Sequence, residues 1–238
     1  MSTFVLVHGA YHGGWCWTKV RARLRVQGHD VRTPTLTGLG DRLHLENYDI
    51  RLDTHITDIA NLLEWEDLEG VILVGHSYGG VVITGVAERA HERIARLVYV
   101  DGMVPRDGQS AIDCQGLATR ALFEEYMRKG PKKFGERVPA PALFGVADAV
   151  DTAWMNERLT PHPRRTLVDK IALPLNRAAE LPSAYILCSR ESPISLAKHF
   201  ATIAKDRVWE SMTIDAGHDA MVSDPDILSA ALLSFARS

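Results

Sequence analysis

The sequence predicts an α/β fold: a mostly parallel sheet with helices on both faces and one long insertion. Three observations predict it. Short β-branched runs alternate with helical patterns along the chain, as in right-handed βαβ units. One of these runs, Val71 to Val74, passes without a spacer into Gly75-His76-Ser77-Tyr78-Gly79 and an apolar helix. The alternation lapses between about Gly102 and Leu181 and then resumes.

Strands are predicted at Phe4–Val7, His29–Thr33, Val71–Val74, Leu97–Val100, Ala184–Leu187 and Val208–Ile214, where short runs containing β-branched residues alternate with helical patterns. Between them, Trp17 to Val26 reads as a helix. So does Asp53 to Trp65, with Ile56, Ile59 and Leu63 on one face, and so does Tyr78 to Arg89. The last helix follows Ser223-Asp224-Pro225, a capping residue with proline at the first helical position, and is expected to bury Ile227, Leu228, Ala231, Leu232 and Phe235. The segment 102–181 is rich in Pro, Arg and Glu and weakly patterned. It reads as a cap inserted into a core made of 1–101 and 182–238. Placed after the strand that follows Ser77, the cap would overhang that serine, so Phe123, Met127, Phe144 and Trp154 are candidates for a cavity wall or for the cap's own small core.

The 238 residues are 46% apolar and 24% charged, enough to bury about 70% of the unfolded surface in one domain with an insertion. A net charge of -3 with scattered Lys and Arg argues against nucleic acid and anionic lipid as partners. Met1 leads almost directly into Phe4-Val5-Leu6-Val7 with no signal-peptide pattern, and no apolar stretch is long enough for a bilayer. A soluble, cytoplasmic monomer or homodimer is expected. Cys16, Cys114 and Cys188 are widely spaced and in no metal-ligand or C-x-x-C pattern, which predicts reduced thiols.

Glycines two before and two after Ser77 permit the sharp strand-to-helix turn that raises a serine hydroxyl above a sheet. A hydroxyl is a poor nucleophile until a base takes its proton, and the base needs a carboxylate to hold its tautomer. In the chain order serine, acid, histidine, the base is expected after the last strand, where Ala216-Gly217-His218-Asp219 supplies His218. His55, His91 and His199, on helices, are read as surface or helix-face residues. The acid is expected to be Glu191, in Cys188-Ser189-Arg190-Glu191-Ser192-Pro193 after the penultimate strand, with Asp101 the second candidate. Developing negative charge on the substrate would meet the Tyr78 amide at the helix start and the Ala10 amide in His8-Gly9-Ala10-Tyr11-His12-Gly13-Gly14. A metal pair from His8 and His12 lacks an acidic partner in sequence, so no metal is expected. Tyr11, Phe123 and Trp154 are the expected substrate contacts.

The chain resembles the branch of α/β-hydrolases that contains plant methylesterases, polyneuridine aldehyde esterase and hydroxynitrile lyases, with bacterial esterase relatives. The likeness lies in Phe4-Val5-Leu6-Val7-His8-Gly9-Ala10, His12-Gly13-Gly14-Trp15-Cys16-Trp17, Leu36-Thr37-Gly38-Leu39-Gly40, the segment around Ser77, and His218-Asp219-Ala220-Met221. It covers the first hundred residues and the last quarter, not the cap. The resemblance implies the α/β-hydrolase fold, no cofactor, Ser77 as nucleophile, His218 as base, Glu191 as acid, the amides of Ala10 and Tyr78 as oxyanion hole, and a small capped pocket for compact esters. Hydroxynitrile lyases carry threonine and lysine where this chain has Gly9 and Asp219, which disfavours cyanohydrin chemistry. The plant esterases tend to have an apolar residue in place of Asp219; a carboxylate facing the pocket would repel anionic substrates. A serine carboxylesterase acting on small esters, methyl esters among them, through an acyl-enzyme is therefore expected. The competing readings are lyase or cyclase chemistry at the same Ser-His site and a small-molecule receptor.

Overall fold

A computed structural model describes residues 1–115, 120, 138–190, 192, 194, 196–204 and 209–236. Phe123, Met127 and Glu191 lie outside them. Six strands, β1 (Thr3–Val7), β2 (Asp30–Arg32), β3 (Val71–His76), β4 (Ile94–Val100), β5 (Ser183–Cys188) and β6 (Glu210–Ile214), form one sheet in the order β2-β1-β3-β4-β5-β6. Every pairing is parallel. The apolar runs are strands because both faces of the sheet are covered. Val5, Val7 and Leu73 pack into one apolar cluster and Phe4, Leu6, Ile72 and Val74 into the other.

Helices α2 (Leu52–Trp65) and α3 (Gly79–Ala90) cover the first face, burying Ile56, Ile59 and Leu63 as their spacing predicts. Helices α1 (Thr18–Val26) and the C-terminal helix (Pro225–Phe235) cover the second through Val20, Leu24, Leu228 and Leu232. Two expectations for the C-terminal helix change. Ile227 is 40% exposed because it points away from the sheet. Pro225 does open the helix, but Asp224 makes no side-chain cap; its carboxylate instead takes Ser223 Oγ and the Arg190 guanidinium. The three cysteines are free and buried.

Between β4 and β5 the chain forms α4 (Ala149–Asn156), capped by the Asp148 side chain on the amides of Val150 and Asp151, and the short α5 (Arg165–Val168). This stretch is tied to the loop after β1, where the Thr160 amide donates to the Tyr11 carbonyl at 2.9 Å. Lys19 Nζ on Asp151 at 2.6 Å adds a tie to α1. After β5 come α6 (Ala197–Ile203) and, past β6, the one-turn α7 (Ala220–Ser223); the C-terminal helix is α8. Among the described residues no helix is long and apolar enough to cross a membrane.

Candidate active site

The turn at the top of β3 is as tight as its glycines require. Ser77 has φ of +51°, a left-handed conformation that costs a residue with a side chain on the order of 1–3 kcal/mol. The surroundings hold it there: its amide donates to the Val100 carbonyl at 3.2 Å, and its carbonyl accepts from Met103 at 2.9 Å and Gly80 at 3.0 Å. A Cβ on Gly75 would lie 2.6 Å from the Gly79 carbonyl oxygen, and one on Gly79 would lie 2.7 Å from that of Val7. Neither flanking glycine can carry a side chain.

His218 stands in the loop after β6, 2% exposed. Its Nδ1–H donates to Asp101 Oδ2 at 2.6 Å, and this contact assigns the tautomer that leaves Nε2 with a lone pair. Its carbonyl accepts from His76 Nε2–H at 2.9 Å. Ser77 and His218 open onto one cavity of about 170 Å³.

At the acid position the structure places Asp101, the second candidate, on Nδ1 of His218; Glu191 lies outside the described residues. The reason is sheet register: His76 pairs with Val100, so the residue after Val100 stands beside Ser77. Strand order along the sequence suggested the end of β5, but the end of β4 is the neighbour of β3. Asp101 is itself in the left-handed region, φ +39°, with its amide donated to the Ile186 carbonyl at 2.8 Å.

The loop after β1 faces Ser77 from the other side. His8 shapes it with Nδ1–H on the Gly9 carbonyl at 2.8 Å and Nε2 accepting the Leu36 amide at 3.0 Å. Burial pushes His8 down to about 3, so it is a neutral fastener. No hydrogen bond from the Ala10 or Tyr78 amide to a protein acceptor occurs among the described residues. The Tyr78 ring turns away into the core and donates its hydroxyl to His55 Nδ1 at 2.9 Å, while His55 Nε2–H donates to the Thr37 carbonyl at 2.9 Å. His55 is thus a fully buried residue on a face of α2 rather than a surface one, and burial lowers it to about 4. His199 likewise has a partner, accepting the Val104 amide at 2.9 Å.

Of the expected substrate contacts, Tyr11 lines the cavity. Trp154 does not: its ring packs edge-on against Trp15 at 5.0 Å, beneath the Arg158 guanidinium. Phe144 does reach the cavity wall, with Met103, Ile112 and Leu167, which had no signal of their own in the sequence.

Two further buried side chains join the site. His12 donates Nε2–H to Asp219 Oδ2 at 2.8 Å, so the acidic partner missing near His12 in sequence arrives from the far end of the chain. Asp219 is fully buried and does not line the cavity. His76, His218 and Asp219 bring one ligand atom each within 4.8 Å of one another. Nε2 of His76 and Nδ1 of His218 are already engaged in the bonds above, and His8 turns both ring nitrogens to backbone groups.

The comparisons with known proteins agree with this geometry. The family model described as "Alpha/beta hydrolase family" matches residues 4–231. A carbendazim hydrolyzing esterase from Nocardioides sp. (strain SG-4G) is 41% identical, with 98% of each chain covered. Methylesterase 7 from Arabidopsis thaliana is 30% identical over 98% of this chain and 95% of its own. An extracellular alpha/beta-hydrolase from a Paenibacillus species superposes with a TM-score of 0.87 at 25% identity, covering 98% of both chains. A strained serine above a parallel sheet, a histidine beyond the last strand and these full-length likenesses place the chain in the α/β-hydrolase family, in the branch of plant methylesterases and their bacterial esterase relatives.

Proposed function

We propose that this protein is a serine carboxylesterase that needs no cofactor and hydrolyses small carboxylic esters, methyl esters among them, through an acyl-enzyme. Ser77 attacks the ester carbonyl, and His218 takes its proton at Nε2 and returns it to the leaving alcohol. Asp101 holds the imidazole and offsets its charge, and the amides of Ala10 and Tyr78 receive the oxyanion. Water then hydrolyses the acyl-enzyme with His218 again as base.

The observation that carries this reading is the Asp101–His218 bond, 2.6 Å long, beside a left-handed Ser77 on the same cavity. The cavity volume of about 170 Å³ and its apolar wall suit a compact acyl group. In this reading residues 102–181 act as the cap over a core of 1–101 and 182–238. Carbendazim, named for the Nocardioides relative, and short methyl esters are the first substrates to try.

Lyase chemistry of the cyanohydrin type gains no support. A Cβ on Gly9 would lie 2.9 Å from His76 Nδ1 and 3.0 Å from Ser77 Cβ, so the threonine of the lyases has no room there. Asp219 is paired with His12 and offers no cation to a leaving group.

Stopped-flow hydrolysis of p-nitrophenyl acetate tests the proposal. A burst or steady turnover in wild type that vanishes in Ser77→Ala supports it. A wild type that is never acylated and never turns over shifts weight to a lyase, cyclase or receptor role.

A further inference from the structure

His12 and Asp219 sit beside the proposed triad without a part in it. His12 Nδ1–H donates to the Ala10 carbonyl at 2.7 Å, and Nε2–H donates to Asp219 Oδ2 at 2.8 Å. Both ring nitrogens face acceptors, so the ring carries both protons; a neutral ring would leave one acceptor facing a lone pair. The side chains are 1% and 0% exposed, which makes this a buried imidazolium–carboxylate pair. Burial opposes a charged His12, but the Asp219 charge and hydrogen bond raise it above the ordinary histidine value. Burial would likewise raise Asp219, and His12 brings it below the ordinary carboxylate value.

The partners of this pair give it leverage. Asp219 directly follows His218, and its amide donates to the Phe144 carbonyl at 2.9 Å, tying the histidine loop to the cavity wall. His12 grips the carbonyl of Ala10, whose amide faces the oxyanion in the proposed reaction. Trp15 stacks on the His12 ring at 5.4 Å and Phe144 meets it edge-on at 5.1 Å, excluding water from the contact.

Resting on the esterase reading, we propose that His12 and Asp219 are positioning residues. Their ion pair fixes the distance between the oxyanion hole on the first loop and the base on the last. The reacting carbonyl needs both at once, and the two loops lie at opposite ends of the sequence with this one charged link between their side chains among the described residues. The other titratable groups facing the pair are His8, His76 and His162, which burial holds neutral, Cys16, whose thiol burial pushes up, and His218.

The test compares wild type, Asp219→Asn, His12→Gln and the double variant with p-nitrophenyl acetate, alongside a trifluoromethyl ketone that mimics the tetrahedral intermediate. Each single variant is expected to lose about 10- to 100-fold in kcat with KM nearly constant, and to bind the ketone proportionally more weakly. The double variant should be no worse than the poorer single one, since the two residues act as one unit. In wild type the alkaline limb of kcat should include His12 deprotonation, and Asp219→Asn should move that limb to lower pH. An unchanged kcat in either folded single variant, or additive losses in the double, would overturn the proposal. Imidazolium N–H resonances of His12, measured by NMR in wild type and Asp219→Asn, report the pair independently of turnover. Wild type with those resonances but no ester turnover would sink the esterase reading, and with it a catalytic role for the pair. Turnover without the resonances would sink the positioning proposal alone. Should Asp219→Asn not fold, His12→Gln, which keeps a donor and removes the charge, decides between the same two outcomes.

Discussion

Asp101 Oδ2 stands 2.6 Å from Nδ1 of His218, although 117 residues separate the two in the chain. The contact exists because β4 lies next to β3 and its last residues run beside Ser77. It is the reason the proposed reaction assigns the acid to Asp101.

Asp101→Asn should therefore lower kcat by about a thousand- to ten-thousand-fold, because an amide in that place favours the wrong histidine tautomer. Glu191→Gln should cause no comparable loss. Steady-state kinetics of the two variants side by side decides the matter; the reverse order would return the acid to the end of β5.

The space above Ser77 is closed to any side chain at position 9. Gly9→Ala would set its methyl 2.9 Å from His76 Nδ1 and 3.0 Å from Ser77 Cβ, displacing the loop that carries the Ala10 amide. About a hundredfold loss in kcat is expected, with melting temperature far less affected. Kinetics and thermal melts on the same sample check both halves.

Leu167, 7% exposed, forms part of the cavity wall. Leu167→Ala should lengthen the acyl chain the enzyme accepts, at a cost of roughly 2–5 kcal/mol in stability. The ratio of kcat/KM for p-nitrophenyl octanoate over acetate should rise; a ratio that stays fixed would place the acyl group elsewhere.

The His12–Asp219 pair predicts how stability varies with pH. The folded protein raises His12, so that contribution is complete below the unfolded histidine value of about 6.5 and fades as pH rises through the raised folded one. It lowers Asp219, so that contribution is complete above the unfolded carboxylate value of about 3.9 and fades as pH falls through the lowered folded one. Asp219→Asn should thus cost most between these limits, roughly 3–5 kcal/mol, with the gap to wild type narrowing toward alkaline pH. Denaturant melts of both proteins across pH measure that gap.

The middle of the sheet was legible in the sequence because β1 and β3, and most of β4 and β5, are buried on both faces, which makes them short apolar runs such as Val71 to Val74. The turn at Ser77 was legible because its geometry excludes side chains at Gly75 and Gly79. His218 was legible from its place after the last strand. Asp101 ranks second on sequence alone, since the order of strands in the chain does not reveal which strand ends are neighbours in the sheet. The pairings of His12, His55 and Asp219 were hidden for a related reason. Each partner, Asp219, Tyr78 or His12, is distant in sequence, and a lone histidine gives no sign of a buried acceptor. The place of Trp154 was not legible, because an aromatic residue in an insertion can face a cavity or pack on the rest of the chain, and this one packs against Trp15.

The proposed reaction requires that Ser77 become acylated. Mass spectrometry of enzyme quenched with acid during p-nitrophenyl acetate turnover detects that intermediate. One added acetyl group is expected on the peptide containing Ser77, absent from Ser77→Ala and persisting longer in Asp101→Asn. Sustained turnover with no acetyl group on that peptide under any quench time, or equal turnover in Ser77→Ala, would contradict it.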